Sequence, residues 1–448
     1  MRNNQLVSGW GGAHGSKALL IEKQISKFVE FYERGVKFSI LGSCTSYGDS
    51  AVSDLGNYFS TELLKGIEID VENKFAQCGG GVTYEELLEA TLQFGLIPKV
   101  IPGTNQATIG GSIAADIHGK STKIPNCISN GILGLKLLGK NGVVNLSKMN
   151  SNDSELIQAT VGGLGVTGLI LSAVIPLQSV NSQTVFETRT KCHSLHSTLR
   201  TIENLVRESD YVVCWVNLSR KGTYRAIVSS AQISSSDSLQ SLSYVRIFSR
   251  VAEYLDGFKI WPRIGRGPQL IFRWNLKIAN QAVYLFSREK RILSLREFLF
   301  PMKKLLFWRH LHGRGGLIQW QRIFPFESES IMGDVLNRIQ DSSYLPTLVT
   351  IKISQEYSSA VLGFCLPGWN LAIDFRANQP GLTQFLRELD ELVLLAGGRP
   401  YLIKDGYLSK KEFELFFPRA AQLKGIDSSD MRPNWISNNQ LLRLGLLG

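Results

Sequence analysis

From Pro102 to Gly119 the chain reads Pro-Gly-Thr-Asn-Gln-Ala-Thr-Ile-Gly-Gly-Ser-Ile-Ala-Ala-Asp-Ile-His-Gly, with no charged side chain before Asp116 and His118. Glycine removes the Cβ that would hold a ligand off the backbone and tolerates positive φ, so successive N–H groups here can approach a phosphate closely. The residue types point to a cofactor loop. A second loop, Leu41-Gly42-Ser43-Cys44-Thr45-Ser46-Tyr47-Gly48-Asp49, has the same small-residue texture; taken alone it reads better as an ordinary surface turn, and only the presence of three such loops within one 170-residue region favours a cofactor role. Gly163-Leu164-Gly165-Val166-Thr167-Gly168 satisfies G-x-G-x-x-G, a fingerprint that needs a strand before it and a helix after it. Its context is reversed, so it is read as a glycine-rich turn beside some other cofactor.

The titratable candidates follow. His118 has three open readings: a structural residue, the wall of an active site, or a point of cofactor attachment. Lys352 sits inside the apolar run Thr347–Ile353, and Lys404 follows Leu402 in what reads as an apolar strand. An isolated lysine of this kind ordinarily reaches solvent. Facing a pocket, it would become a proton acceptor or an anion clamp as burial lowers its pKa. His193-x-x-His196 and His310-x-His312 lack partner ligands at metal spacing apart from Cys192, and are read as structural or surface residues. The six cysteines, Cys44, Cys78, Cys127, Cys192, Cys214 and Cys365, contain no C-x-x-C pair. That argues against a zinc ribbon or a disulfide framework and suits a reducing cytoplasm.

The elements that must position these residues read as follows. Helical spacing covers 17–33, and Lys37–Leu41 is a short strand entering the second loop. Thr83-Tyr84-Glu85-Glu86 is a capping box, Asn141-Gly142 joins a hairpin, 154–160 is helical and Leu169–Leu177 is a strand. Beyond Ser179 glycine thins out and alternating strands appear at Tyr211–Val216 and Thr223–Val228. A helix over Leu382–Ala396 ends at Gly397-Gly398. The 448 residues therefore divide at about 183 and again at 397.

Charge is unevenly placed. Residues 257–324 hold 14 Lys and Arg against 2 Glu, which accounts for the whole formal excess of +11. Four of the eight tryptophans, Trp261, Trp274, Trp308 and Trp320, are interleaved with these cations. This composition suits nucleic acid or anionic lipid, with a solvated amphipathic helix as the plain alternative. No nucleic-acid motif accompanies it, and the large apolar residues of Phe298–Trp308 favour a membrane interface. Met1–Gly15 has no secretory pattern and no run of eighteen apolar residues spans a bilayer, so a peripheral protein is expected.

Taken in order, the three loops, Trp10 in Ser8-Gly9-Trp10-Gly11, and the blocks GLIQWQRIFP at 316, LPGWNLAIDF at 366 and GGRPYLIKD at 397 resemble the vanillyl-alcohol-oxidase/PCMH-type flavoproteins. Over nearly the whole chain the likeness is greatest to the decaprenylphosphoryl-β-D-ribose 2′-oxidase family. The resemblance implies an α+β protein. A PCMH-type FAD-binding domain of two α+β subdomains would be built from 1–183 and 397–448, with a substrate domain carrying an antiparallel sheet at 184–396. Non-covalent FAD is implied, held by Ile40, Leu41, Gly42, Ser43, Cys44, Thr45, Ser46, Tyr47, Gly48, Asp49 and Ser50. Its further contacts would be Gly103, Thr108, Ile109, Gly110, Gly111, Ala115, Asp116, Ile117, His118, Ile170 and Tyr401. Gln319, Gln321, Lys352 and Asn370 would bind substrate, with Lys404 and Tyr47 handling the hydroxyl proton and His118 walling the flavin's reactive face.

The implied activity is oxidation of a secondary hydroxyl on a polyprenyl-phosphate-linked sugar to a ketosugar. It would be the first half of an epimerisation in cell-envelope polysaccharide synthesis, completed by an NADH-dependent short-chain reductase. The implied location is cytoplasmic, peripheral at the inner face of the membrane through 257–324. Two other readings are an alditol or aldonolactone oxidase, whose usual His-Trp-Gly-Lys block is absent, and a flavin-free basic protein binding membrane or nucleic acid. The chain departs from the family at Leu41, Cys44 and Thr45, which replace Arg, Gly and Arg in the Leu41–Asp49 loop. Ser121-Thr122-Lys123 stands where Asn-His-His is usual, and Ala372 where some members have Cys. Loss of the glycine at 44 is expected to alter the pyrophosphate geometry, and the other changes leave room for a different substrate.

Overall fold

The computed structural model describes residues 5–123, 125–234, 268–301, 308–423 and 433–447. Near the N-terminus β1 (Leu6–Ser8) pairs with β2 (Gly15–Lys17), while β3 (Leu20–Glu22), β4 (Ser39–Leu41) and β5 (Asn57–Ser60) form a small parallel sheet with β5 in the middle. Helical spacing over 17–33 predicts one helix, but only Ile25–Glu33 is helical. The parallel ladder of Leu20, Ile21 and Glu22 with Asn57, Tyr58 and Phe59 holds the preceding residues extended. Tertiary pairing overrides local periodicity there.

A six-stranded antiparallel sheet follows, made of β6 (Ile67–Asp70), β7 (Phe75–Gly79), β8 (Leu96–Pro98), β9 (Gly134–Gly139), β10 (Gly142–Ser147) and β11 (Leu169–Ser179). The hairpin at Asn141-Gly142 is present, with Gly142 at φ +98° where a side chain would be strained. Thr83 caps the Tyr84–Leu92 helix in a full capping box.

The larger sheet has eight antiparallel strands: β12 (Thr184–Cys192), β13 (Tyr211–Asn217), β14 (Arg225–Ile233), β15 (Lys290–Ser294), β16 (Leu317–Pro325), β17 (Pro346–Ser354), β18 (Gly368–Arg376) and β19 (Arg399–Pro400). Side chains alternate faces along each strand, so β16, β17 and β18 present two distinct surfaces. Trp320, Phe324, Val349, Ile351, Leu371, Ile373 and Phe375 share one of them. They join a core that includes Leu336 and Ile339 of the Glu329–Asp341 helix and Leu386 and Leu389 of the Leu382–Leu395 helix. The other face is polar.

The C-terminal residues return to the N-terminal region. Phe38 N–H donates to Trp435 O at 2.6 Å, and Asn439 N–H to Val52 O at 2.8 Å. Two expectations need correction. Lys404 does not lie in a strand but ends a 3-10 turn, Leu402–Lys404, which closes where Lys404 N–H donates to Tyr401 O. Phe298, Leu299 and Phe300 are buried in the core beside the six-stranded sheet, so this part of the proposed membrane-inserting stretch is structural. Residues 302–307 of that stretch, and Trp261, lie outside the described residues.

Candidate active site

The two small-residue loops face each other across a cleft. Ile40, Gly42, Ser43, Cys44, Thr45, Ser46 and Ser50 line one wall; Thr108, Gly110, Gly111, Ala115 and Ile117 line the other, with Ile170 beside them. A Cβ on Gly42 would come within 2.5 Å of Thr108 Oγ1, so glycine there is what lets the loops approach. Cys44 holds φ +51°, the left-handed conformation that glycine favours, at a cost in strain.

Ala51, Thr61, Leu169 and Ile403 line the cleft outside any predicted loop, while Ala107, Ser112, Ala114, Leu164, Gly165 and Gly168 lie in predicted cofactor loops without having been singled out as contacts. The G-x-G-x-x-G lookalike supplies Leu164, Gly165 and Gly168. It sits between the Ser154–Thr160 helix and β11, the reverse of a Rossmann turn. Its glycines were the available signal. Ser112 Oγ is buried in the cleft wall with no hydrogen-bond partner, leaving a donor for a ligand. Small polar walls, an unpartnered hydroxyl and an apolar end at Ile117 and Ile403 suit a dinucleotide carrying a flat ring.

Other predicted cofactor residues sit outside this lining. Leu41 packs in the N-terminal core, Ile109 is fully buried, and Gly103 has open space at its Cα. The Asp116 carboxylate accepts from Ser129 N–H at 3.0 Å and Ser358 Oγ at 2.5 Å. Asp49 accepts from Arg443 at 2.8 and 3.0 Å, and the same guanidinium reaches Asp405 at 2.9 Å. Gly48 lies against Asp405 so closely that a Cβ would meet its carbonyl at 1.8 Å. Arg443 thus ties the Leu41–Asp49 loop to the segment bearing Lys404.

The polar face of the large sheet carries the other predicted residues. Register places Gln319 opposite Asp374, Gln321 opposite Ala372, and Asn370 opposite Lys352, all on one surface. His118 joins them: Gln321 Nε2 lies 2.9 Å and Asn370 Nδ2 3.3 Å from His118 Nε2, and the ring sits 5.0 Å from that of Tyr401. With both amides donating to Nε2, His118 is a neutral imidazole. Burial, reinforced by Lys352 and Lys404, holds its pKa well below the usual histidine range.

Lys404 Nζ lies 3.6 Å from the centre of the Tyr47 ring. Burial lowers the Lys404 ammonium to about 7, with Lys352 adding to the effect and Asp374 opposing it. Burial pushes the Tyr47 phenol well above its ordinary pKa, and the charge of Asp374 reinforces the shift. Asp374 accepts from Gln319 Nε2 at 2.7 Å and from the Trp308 indole at 3.0 Å, and burial raises it to about 6. Lys352 is lowered to about 8 and Lys120 to about 7, both chiefly by burial. Lys120 donates to Phe298 O and lies over that residue's ring. Asp374 and Lys120 were missed in the sequence; two-residue alternation along β18 from Asn370 points to Asp374, whereas Lys120 lies in no strand and carries no such signal.

Behind this face Arg322 is fully buried against Asp390, with contacts of 2.6 and 2.8 Å, and donates to Gln321 O at 3.0 Å. The pair anchors β16 to the Leu382–Leu395 helix. The histidine pairs serve elsewhere: His193 contacts Tyr284, His196 pairs with Glu329, and His312 lies between Trp308 O and Thr347 Oγ1. Of the tryptophans in the basic segment, Trp308 binds Asp374 and Trp320 is buried with its indole on Asp390 at 2.8 Å.

Residues 21–147 match a family profile described as an FAD binding domain. The chain is 30% identical over 429 residues to a decaprenylphosphoryl-beta-D-ribose oxidase of Mycolicibacterium smegmatis, an alignment covering 92% of this chain and 91% of that one. Shorter likenesses reach a D-lactate dehydrogenase of Archaeoglobus fulgidus, 30% identical over 35% of this chain and 36% of that one. A mitochondrial L-galactono-1,4-lactone dehydrogenase of Brassica oleracea is 28% identical over 44% of this chain and 32% of that one.

Proposed function

Because the chain belongs to the decaprenylphosphoryl-β-D-ribose oxidase family and is an FAD-dependent oxidoreductase, we propose that it oxidises a secondary hydroxyl on a polyprenyl-phosphate-linked sugar to a ketone. The observation carrying this reading is a lysine cluster beside His118: Lys352 and Lys404 lie close enough to hold its pKa down, and Lys352 likewise depresses Lys404 and Lys120. Glu187 and Asp374 are the acids that act on this group. Three poorly compensated cations suit a substrate that brings its own negative charge.

When bound in the cleft, non-covalent FAD supplies the two-electron acceptor that no side chain provides. The chain's own residues position and deprotonate. Gln319, Gln321 and Asn370 offer amide groups to sugar hydroxyls from one sheet face, while Lys352 and Lys120 clamp the phosphate. Lys404, neutral above about pH 7, accepts the hydroxyl proton at Nζ. Tyr47 remains a phenol at neutral pH and serves to orient. Neutral His118, fixed by two amides, closes the wall of the pocket without adding charge.

An NADH-dependent short-chain reductase acting on the ketosugar would complete an epimerisation in cell-envelope polysaccharide synthesis. The test is product analysis with the FAD-loaded enzyme and a polyprenylphosphoryl pentose. The expected product is lighter by one H2, with a carbonyl that borodeuteride reduces at a ring carbon. Oxidation of free aldonolactones or lactate at an equal or better kcat/KM would overturn the reading.

A further inference from the structure

The Arg273–Phe286 helix turns an apolar side to solvent. Leu276 and Tyr284 are its buried residues, whereas Trp274 is 67%, Ile278 64%, Leu285 55% and Phe286 81% exposed. Trp274, Ile278 and Leu285 fall at helical spacing on one stripe, and Phe272 and Leu270 extend it at the N-terminal end. Single exposed apolar residues are ordinary, but several on the outer side of one helix, interrupted only by Gln281, which is held by Arg225, form a contact surface. Its charged neighbours are unequal: Lys277, Arg288 and Lys290 are exposed beside it, against Glu289. The expectation of a membrane contact within 257–324 is thereby narrowed, since Trp308, Trp320 and Phe298–Phe300 have structural partners.

The helix is tied to the rim of the active site. Leu270 N–H and Ile271 N–H both donate to Leu311 O, at 2.8 and 3.2 Å, and Gln269 bridges His312. In the same short segment the Trp308 indole holds Asp374 and His312 binds Thr347. A surface docked through this helix would therefore lie a few residues of chain from the group that tunes Lys404.

We infer that the Arg273–Phe286 helix is a membrane-docking face, seating Trp274, Ile278, Leu285 and Phe286 in the headgroup region of an anionic bilayer with Lys277, Arg288 and Lys290 against its phosphates. Apolar area and cationic charge act together in such docking. The inference deepens the reading of a lipid-linked substrate and rests on it for its purpose, though not for its test.

The experiment is flotation of full-length, FAD-loaded protein with phosphatidylglycerol–phosphatidylcholine vesicles and with pure phosphatidylcholine vesicles, beside Ile278→Glu, Phe286→Glu and Lys277→Glu. Retained FAD and unchanged melting confirm that these exposed positions leave the fold intact. The wild type should float with anionic vesicles and far less with neutral ones. Each apolar-to-Glu change should lower partitioning about tenfold or more, and Lys277→Glu should lower it on anionic vesicles only. Wild-type protein that stays in the soluble fraction, or apolar-to-Glu variants that float as the wild type does, would overturn the inference. So would a concentration-dependent dimer that Ile278→Glu dissociates, because a second copy would then cover the face. A lipid-linked sugar that is not oxidised, with flotation intact, would remove the proposed substrate and leave the docking face standing.

Discussion

Lys404 Nζ rests 3.6 Å from the centre of the Tyr47 ring, an ammonium over a π face in a pocket that disfavours both the charged lysine and the charged tyrosine. Lys404 is lowered to about 7 and Tyr47 is pushed up, so at neutral pH only the lysine is ready to accept a proton. The rate of substrate oxidation should therefore rise with pH through about 7 as Lys404 loses its proton. Tyr47→Phe should keep that limb, whereas Lys404→Met should lose it and fall by on the order of a hundredfold or more. A pH–rate profile of the three proteins checks this.

Asp374 tunes that lysine. Its carboxylate favours the charged form of Lys404, so Asp374→Asn removes a stabilising neighbour and lets the lysine pKa fall further. The ascending limb should move to lower pH in the variant. A limb that stays put or moves upward would show that Asp374 is not coupled to the base.

Three depressed lysines also make stability depend on pH. Lys120, Lys352 and Lys404 bind their protons less tightly folded than unfolded, with folded values of about 7, about 8 and about 7. Between those values and the ordinary lysine range of about 10 the unfolded chain holds more protons, so stability rises with pH across that window. Thermal melting of the ligand-free protein should climb from neutral to alkaline pH, and Lys352→Met should flatten the climb.

Cys44 adopts a glycine's backbone with a side chain in place, at φ +51°. Relief of that strain is worth about 1 kcal/mol. Cys44→Gly should raise the melting temperature and leave FAD affinity equal or tighter, by calorimetry and flavin fluorescence titration. Weakened FAD binding in Cys44→Gly would mean that the thiol itself makes a needed contact.

Much of this was legible in the residues. The loop at 102–119 announced a ligand cleft by what it lacks, the loop at 41–49 only in company with it, and the reversed context of Gly163–Gly168 withheld a Rossmann reading while Gly165 and Gly168 line the same cleft. What failed had physical causes. Residues 17–24 carry helical spacing, yet the ladder between Leu20–Glu22 and Asn57–Phe59 decides their conformation, and that pairing is non-local. Lys404 reads as part of a strand because Tyr401-Leu402-Ile403 is apolar; the short turn there depends on contacts with the first loop, where Tyr47 N–H and Gly48 N–H donate to Ile403 O. Arg443, which joins Asp49 to Asp405, carries no local signal. Asp374 was in reach, since alternation along β18 puts it on the surface already assigned to Asn370; Lys120, outside any strand, was not.

The central claim, an FAD-dependent oxidation of a lipid-linked sugar phosphate held by a lysine cluster, is tested most directly by anaerobic mixing of the FAD-loaded enzyme with a polyprenylphosphoryl pentose while the flavin absorbance is followed. Rapid bleaching by that compound, and slow or absent bleaching by the same lipid-linked sugar without its phosphate, is the predicted result. Unchanged flavin absorbance with the phosphorylated compound, or equal bleaching by both, would contradict it.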